Sequence, residues 1–487
     1  MHLSRTRILN GLQCPKQLWW RVHEPGAAEL LRSMPSQWEL EEGRKVAELA
    51  RTHAPGGVLI DIPHGSVRDR VTATEEALGS GARVIYEAAF LAGGVYAQVD
   101  ILERLDRGFA LTEVKSSLSV KPPHLNDLAV QVHVVSASGI DVRAANVMHL
   151  NRDCVHPDLT NLFVIEDVTA EAATIAVRLP PRIAALQVAL GGSLPDVAIG
   201  RHCDDPHPCP FKSRCWPVPL PHELKSLYQS HTQLVDLEAA GYATILDLPP
   251  GLDLNAIAER QRRAVQTGRM VVEPGLAEAL RVFEPPLAYL DFETVDPAIP
   301  VWPRCRPYAN VPVQFSCHVE HADGTFTHHQ AIANGNGDPR PEIARRVADV
   351  CRGARTVVAY YSPFDAECLE QLAVAAPERA AELREIASRL RDPLPILRDF
   401  VYHPEFRGSF SLKSVLRPLV PELGYDDLEI REGGVASVQL KRLLLDSRRL
   451  DPPQAQHIRG ALERYAERDT WAMVKLLERL HAIAKAG

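Results

Sequence analysis

The run Leu287-Ala-Tyr-Leu-Asp291-Phe-Glu293-Thr294 constrains this chain most. Its apolar residues read as a strand buried in the middle of a sheet. Asp291 and Glu293 stand two apart, so on a strand both point to one face. Burying two carboxylates is costly unless they bind cations or find partners. The rest of the fold must therefore answer that charge. Further acids lie in the same half. A strand expected over 355–361 leads into Ser-Pro-Phe-Asp365, an acid at a helix start. A long helix is expected over 453–484, where Tyr465 and Asp469 are four apart on one face.

A second carboxylate group lies upstream. Residues 95–104 and 109–115 alternate like strands, with Asp106-Arg107-Gly108 as the turn between them. That hairpin brings Asp100 beside Glu113, with Lys115 on the same face as Glu113. Two carboxylates at a strand pair form a hard oxygen site for Mg²⁺ or Mn²⁺. A lysine beside them orients water or stabilises a phosphate. The plainer alternative is the solvated face of an ordinary strand. A helix over 124–138 follows and carries Gln131, then a strand over 144–150. Residues 36–52 and 168–190 have helical spacing, the second interrupted by Pro180-Pro181.

Cysteines give the third feature. Cys203, Cys209 and Cys215 are spaced C-x5-C-x5-C in a loop rich in proline, and Cys14 is a candidate fourth ligand in Gly-Leu-Gln-Cys-Pro-Lys. The residues between them are polar or proline, unlike a core. Four thiolates hold an iron–sulfur cluster or Zn²⁺. The wide spacing favours a cluster, while His202 and His207 keep a mixed zinc site open. The remaining cysteines, Cys154, Cys305, Cys317, Cys351 and Cys368, are expected to be structural thiols. An odd total of nine, with no signal-peptide pattern at the N-terminus, points to a reducing, cytoplasmic setting.

The length of 487 residues suits two to four domains at about 100–200 residues each. We expect an α/β chain divided into 1–216, a small helical linker domain over 217–280, and 281–487. No apolar run approaches the roughly 20 residues of a membrane span. The formal charge of −8 excludes a histone-like binder held by bulk positive charge, and no segment is a basic arm. In the linker, Leu234 to Pro249 with Gly241 suggests a helix-hairpin-helix-like element, or simply a helical connection. Arg260, Arg262 and Arg263 suggest a small basic patch. Over 403–416, Ser409 or Ser411 is expected to cap a helix, and Arg407 and Lys413 either touch phosphate or decorate a surface helix.

On these residues, 1–216 resembles the RecB-like, iron–sulfur-containing nucleases of the PD-(D/E)XK class. That group includes the CRISPR-associated nuclease family and the nuclease domains of some bacterial helicase–nucleases. The resemblance implies that Cys14, Cys203, Cys209 and Cys215 hold a [4Fe-4S] cluster tying the ends of the domain together. It also implies metal ligands Asp100 and Glu113, catalytic Lys115 and supporting Gln131. The chain departs from that pattern in two places. Ala47 stands where the family's early Gly-x-x-x-His motif has its histidine, with Glu42 or Glu48 nearby, and Val134 replaces an aromatic after Gln131.

Residues 281–487 resemble the DEDD exonuclease superfamily in its tyrosine-bearing, DnaQ-like form on an RNase H-like fold. This implies metal ligands Asp291, Glu293, Asp365 and Asp469, with Tyr465 orienting the attacking water. The whole arrangement resembles a bacterial family of predicted RecB-like nucleases. The implied activity is a divalent-metal-dependent nuclease. The second half would be a 3′→5′ exonuclease and the first a cluster-stabilised nuclease acting on DNA, with single strands or ends as substrate and no membrane partner. RNA as substrate, or binding and assembly without cleavage, are the alternatives.

Overall fold

The computed structural model describes residues 2–63, 65–216, 220–335, 337–446 and 449–486. Residues 217–219, at the expected start of the linker, lie outside the described residues. The chain is a mixed α/β protein in two compact units. The first comprises Met1–Val218, Pro297–Val301 and Cys305–Tyr308, and the second Pro219–Asp296, Trp302–Arg304 and Ala309–Gly487. The helical stretch after residue 219 falls in the second unit. Among the described residues, no helix is long and apolar enough to cross a membrane.

In the first unit, strands β2 (Val58–Leu59), β3 (Val84–Ala92), β4 (Val95–Arg104), β5 (Phe109–Lys115), β6 (Val142–Leu150) and β7 (Phe163–Asp167) lie side by side in that order. β1 (Leu3–Ser4) pairs with β4. Gly93 and Gly94 both have positive φ, 56° and 75°, which suits the two-residue turn joining β3 to β4. Val95, Ala97, Val99 and Ile101 alternate into the core. β5 is followed by the helix Pro122–Ala137 and by β6, which runs parallel to it. Prolines at its first positions start this helix, and its Leu128, Val130, Val134 and Val135 are buried. Pro180 and Pro181 likewise open a helix, Leu179–Gly191, so the expected stretch 168–190 is two helices and not one interrupted helix.

The second unit is built on a sheet ordered β11 (Phe326–Ile332), β10 (Val311–Glu320), β9 (Leu287–Val295), β12 (Thr356–Val358) and β13 (Leu390–Arg391). A separate pair, β8 (Val271–Val272) and β14 (Val401–Tyr402), lies apart from it. β9 is central, antiparallel to β10 and parallel to β12, which explains its apolar run. β12 is shorter than expected. Tyr361 turns left-handed (φ 67°), and the Asp392 carboxylate accepts from the Tyr361 and Ser362 amides at 3.2 and 2.9 Å. The helix Ser362–Ala375 thus begins early enough to place Asp365 in its first turn.

Of the two readings of the linker, the helix-hairpin-helix-like one does not form and the plain helical connection fits better, and the basic patch is not formed either. Gly241 follows the helix His231–Ala239, but the next element, Ile245–Asp247, is a single 3₁₀ turn and no hairpin of helices forms. The three arginines are not a basic patch. Arg260 is buried and donates to the Arg398 carbonyl, Arg262 pairs with Glu259 at 2.6 Å, and Arg263 with Glu273 at 2.8 Å.

Candidate functional site

Three groups of side chains stand out. In the first unit, β4 and β5 pair Ile101 with Thr112, and one step further the register sets Asp100 opposite Glu113. The ladder opens there, and the Asp100 carboxylate accepts from the Val114 amide at 2.7 Å. Glu113 is 2% exposed. It accepts from Lys115 Nζ at 2.7 Å and from Gln131 Nε2 on the neighbouring helix. Arg5, at the start of the helix Arg5–Gln13, donates to Glu113 at 2.7 Å and lies 3.1 Å from Asp127. Lys115 also pairs with Asp127.

Two cations therefore sit among three carboxylates. Burial pushes Glu113 up, but Arg5, Lys115 and the Gln131 hydrogen bond outweigh it and hold the carboxyl at about 2. Asp100 is raised, by burial first and then by the Glu113 charge. Lys115 stays protonated above its usual range because Glu113 and Asp127 overcome the effect of burial. Sequence reasoning brought Asp100, Glu113, Lys115 and Gln131 together but missed Arg5 and Asp127. Asp127 had a signal, since it stands four before Gln131 on one helix face. Arg5 had none, because its partner is more than a hundred residues away. Glu42 is engaged elsewhere: it accepts from the Ala298 amide at 3.0 Å and pairs with Lys45. Ala47 packs in an apolar cluster with Val46 and Ala50, so no ligand stands at that point.

The four cysteines converge in the same unit. Cys14 ends the helix Arg5–Gln13 and begins the helix Pro15–His23. It lines one pocket with Cys203, Cys209 and Cys215, walled by Trp20 and Phe211. Gln13 Nε2 donates to the His202 and His207 carbonyls at 2.8 and 2.7 Å, which fastens the loop to the N-terminal helix. The Cys209 amide donates to the Cys203 carbonyl at 2.7 Å. Burial pushes the Cys209 thiol up, and Cys14, Cys203 and Cys215 push it further. Cys215 is raised as well, by burial first and also by Cys14 and Cys203, against the lowering effect of Lys16. The other five cysteines are buried.

The third group lies in the second unit. Asp291 and Glu293 leave β9 on the face crossed by the helix Pro452–Ala486, which supplies Asp469. Carboxylate oxygens of Asp291, Glu293 and Asp469 lie within 4.8 Å of one another. Asp365 is 1% exposed, feels the Asp291 charge, and its Oδ1 has no hydrogen-bond partner. The β9–β10 ladder slips between Pro312 and Gln314, beside Glu293. Burial and the Asp469 charge push Asp291 up to about 8. Glu293 and Asp365 are raised by burial and by Asp291. Asp469 is raised by burial against hydrogen bonds from Tyr425 and Tyr465.

Lys413, in the helix Leu412–Leu419, is the cation whose charge reaches Asp291, Glu293 and Asp469. It donates to Tyr465 Oη at 3.0 Å and stands 4.7 Å from the ring centres of Tyr425 and Tyr465. Ser411 caps that helix, accepting from the Ser414 amide at 3.3 Å. Arg407 is not brought in: it is exposed and pairs with Glu405 at 2.9 Å. Tyr425 was missed, since nothing local marks a residue 44 positions from its partner Asp469.

A family model described as "Domain of unknown function (DUF2779)" matches residues 288–411, a stretch that contains Asp291, Glu293 and Asp365. No curated protein matches the chain. Among the solved structures that match, one titled "Crystal structure of SSO0001" is 14% identical, over 44% of this chain and 85% of its own, with a TM-score of 0.20.

Proposed function

We propose that this protein is a divalent-metal-dependent nuclease whose hydrolysis takes place at the carboxylate group of the second unit. The observation that carries this reading is an imbalance of charge. Half-buried Asp291 and Glu293 and buried Asp469 come within 4.8 Å of one another, buried Asp365 feels the Asp291 charge, and against these four acids stand Lys413, whose charge reaches the first three, and Arg468, whose charge reaches Asp469. An acid group so poorly compensated favours divalent cations, and the unpartnered Asp365 Oδ1 is a ready ligand atom. These four residues would hold Mg²⁺ or Mn²⁺, which supplies Lewis acidity and lowers the pKa of bound water.

The chain's own residues have distinct tasks. Tyr465 Oη, held by Lys413 at 3.0 Å, would orient the attacking water. Lys413 offsets charge that develops on the phosphate. An RNase H-like, DnaQ-type exonuclease unit working 3′→5′ fits the order of residues and the central position of β9. DNA is favoured as substrate, as single strands or ends.

For the first unit the proposed fold is PD-(D/E)XK, RecB-like, supported by a strand–helix–strand unit that carries Glu113, Lys115 and Gln131. The proposed cofactor is a [4Fe-4S] cluster on Cys14, Cys203, Cys209 and Cys215, with zinc as the alternative. The fit of a divalent ion at Asp100 and Glu113 is poor while Arg5 remains, because Glu113 already accepts from Arg5, Lys115 and Gln131. We therefore assign this carboxylate group to binding or assembly before cleavage. A cytoplasmic location belongs to the same proposal.

The test is degradation of end-labelled single strands with Mg²⁺ or Mn²⁺ by wild type, Asp291→Ala and Glu113→Ala. Cleavage lost at least 100-fold in Asp291→Ala and kept in Glu113→Ala is expected, on the order of a removed electrostatic element. A wild-type protein that cuts neither DNA nor RNA with any divalent ion refutes the enzyme.

A further inference from the structure

His318 on β10 and His328 on β11 are register partners on one face of the second sheet. Their rings stack with centroids 4.5 Å apart. Each imidazole uses one nitrogen on a hydroxyl. His318 Nδ1 is 2.9 Å from Thr470 Oγ1, and His328 Nε2 is 2.8 Å from Ser316 Oγ. The two hydroxyls are 2.9 Å apart, and both residues are fully buried. Thr470 Oγ1 also lies 3.1 Å from the Glu467 carbonyl, which can only accept.

One proton assignment satisfies every bond. Thr470 donates to the carbonyl, Ser316 donates to Thr470, and both imidazoles donate their N–H to the hydroxyls. The lone pairs of His318 Nε2 and His328 Nδ1 are then left free, facing away from that network. Glu467, in the C-terminal helix, sets Oε1 3.8 Å from His328 Nδ1. That is too long for a hydrogen bond. It is close to the spacing of two ligands on one ion, given metal–ligand bonds of about 2.0–2.2 Å. A nitrogen from each histidine and an oxygen of Glu467 lie within 4.8 Å of one another.

We propose that His318, His328 and Glu467 form a binding site for a Zn²⁺-class transition-metal ion, with a fourth position open to solvent. Two imidazoles and one carboxylate select such an ion over Mg²⁺. The hydroxyls of Thr470 and Ser316 serve as the outer support that fixes imidazole orientation in metal sites. The open position faces a pocket of about 580 Å³, lined also by Arg464 and Trp471. This site differs from the all-oxygen group around Asp291 and does not rest on the proposed nuclease activity.

The experiment titrates Zn²⁺ alone, against a competing chelator, into full-length wild type, Glu467→Gln, Thr470→Val and Asp291→Ala. Because the four cysteines would also take zinc where no cluster fills them, the quantity read is the difference from wild type. Glu467→Gln, at an exposed position, is expected to lose one bound equivalent at micromolar zinc. Thr470→Val is expected to weaken that equivalent roughly 10–100-fold. Asp291→Ala should keep it. Equal stoichiometry and affinity in wild type and Glu467→Gln overturns the site, even if Thr470→Val fails to fold. Loss of the same equivalent in Asp291→Ala also overturns it, since the ion would then belong to the carboxylate group.

Discussion

At Asp291 the charged form is disfavoured by burial and by the neighbouring Asp469, so its folded-state value of about 8 exceeds the ordinary 3.8. The folded, metal-free protein then binds more protons than the unfolded chain between those two values. Stability contributed by this group is present below about 4 and is lost as pH rises toward 8. With a chelator present, melting temperature should fall between pH 5 and 8, and Asp291→Asn should flatten that slope. Added Mn²⁺ should raise the melting temperature more at pH 8 than at pH 5. A metal-free melting temperature independent of pH contradicts the assignment. Arg5 offers the opposite case. Arg5→Ala leaves the buried Glu113 with one cation fewer, at a cost on the order of 3 kcal/mol by urea denaturation. The same substitution should improve Mn²⁺ binding in the first unit. Asp100, Glu113, Asp291 and Glu293 were legible in the sequence, because charge inside apolar strands is conspicuous, whereas Asp127 on its helix was missed. Arg5 and Tyr425 were not, because their partners are distant along the chain and only the fold brings them close.

Elements were legible where period and punctuation agreed. The buried run of β9, the β4–β5 hairpin and the long C-terminal helix follow from patterning that packing then satisfies. The misses have local causes. Asp392 stops β12 early by capping the next helix, and Thr244 with Asp247 folds a 3₁₀ turn where a second helix was expected. The β4–β5 hairpin also gives a test. Gly108 has φ 72°, and a Cβ there would stand 2.4 Å from the Asp141 carbonyl oxygen. Gly108→Ala should therefore cost about 2 kcal/mol of stability, within the usual range for backbone strain and overpacking. A neutral result in urea denaturation contradicts the turn geometry. In the second unit, Lys413→Met removes the cation beside Tyr465 without altering the helix cap at Ser411. Cleavage is expected to fall about 100-fold with folding unchanged by circular dichroism.

For the molecule as a whole, the cysteine count and the acidic balance have concrete readings. An anaerobic preparation is expected to be brown, with absorbance at about 400 nm from thiolate-to-iron charge transfer. Cys215→Ser should bleach it and lower the melting temperature of the first unit. A colourless protein with stoichiometric zinc at these cysteines contradicts the cluster. Within the acidic side of the formal net −8, the acids around Asp291 are a reserve that bound cations would offset.

The helix Arg5–Gln13 has a consequence for the life of the protein in air. It is nine residues long, so it spans about 13.5 Å, with Arg5 at one end and Cys14 just past the other. A rod that short transmits displacement with little bending. If the proposed cluster holds Cys14 to Cys203, Cys209 and Cys215, oxygen damage to it would loosen the anchor of the same rod that holds Arg5 on Glu113 and Asp127. Oxidation in one pocket would thus be felt as a change of charge in the other, and an aerobic sample and an anaerobic one would differ in how they bind divalent ions.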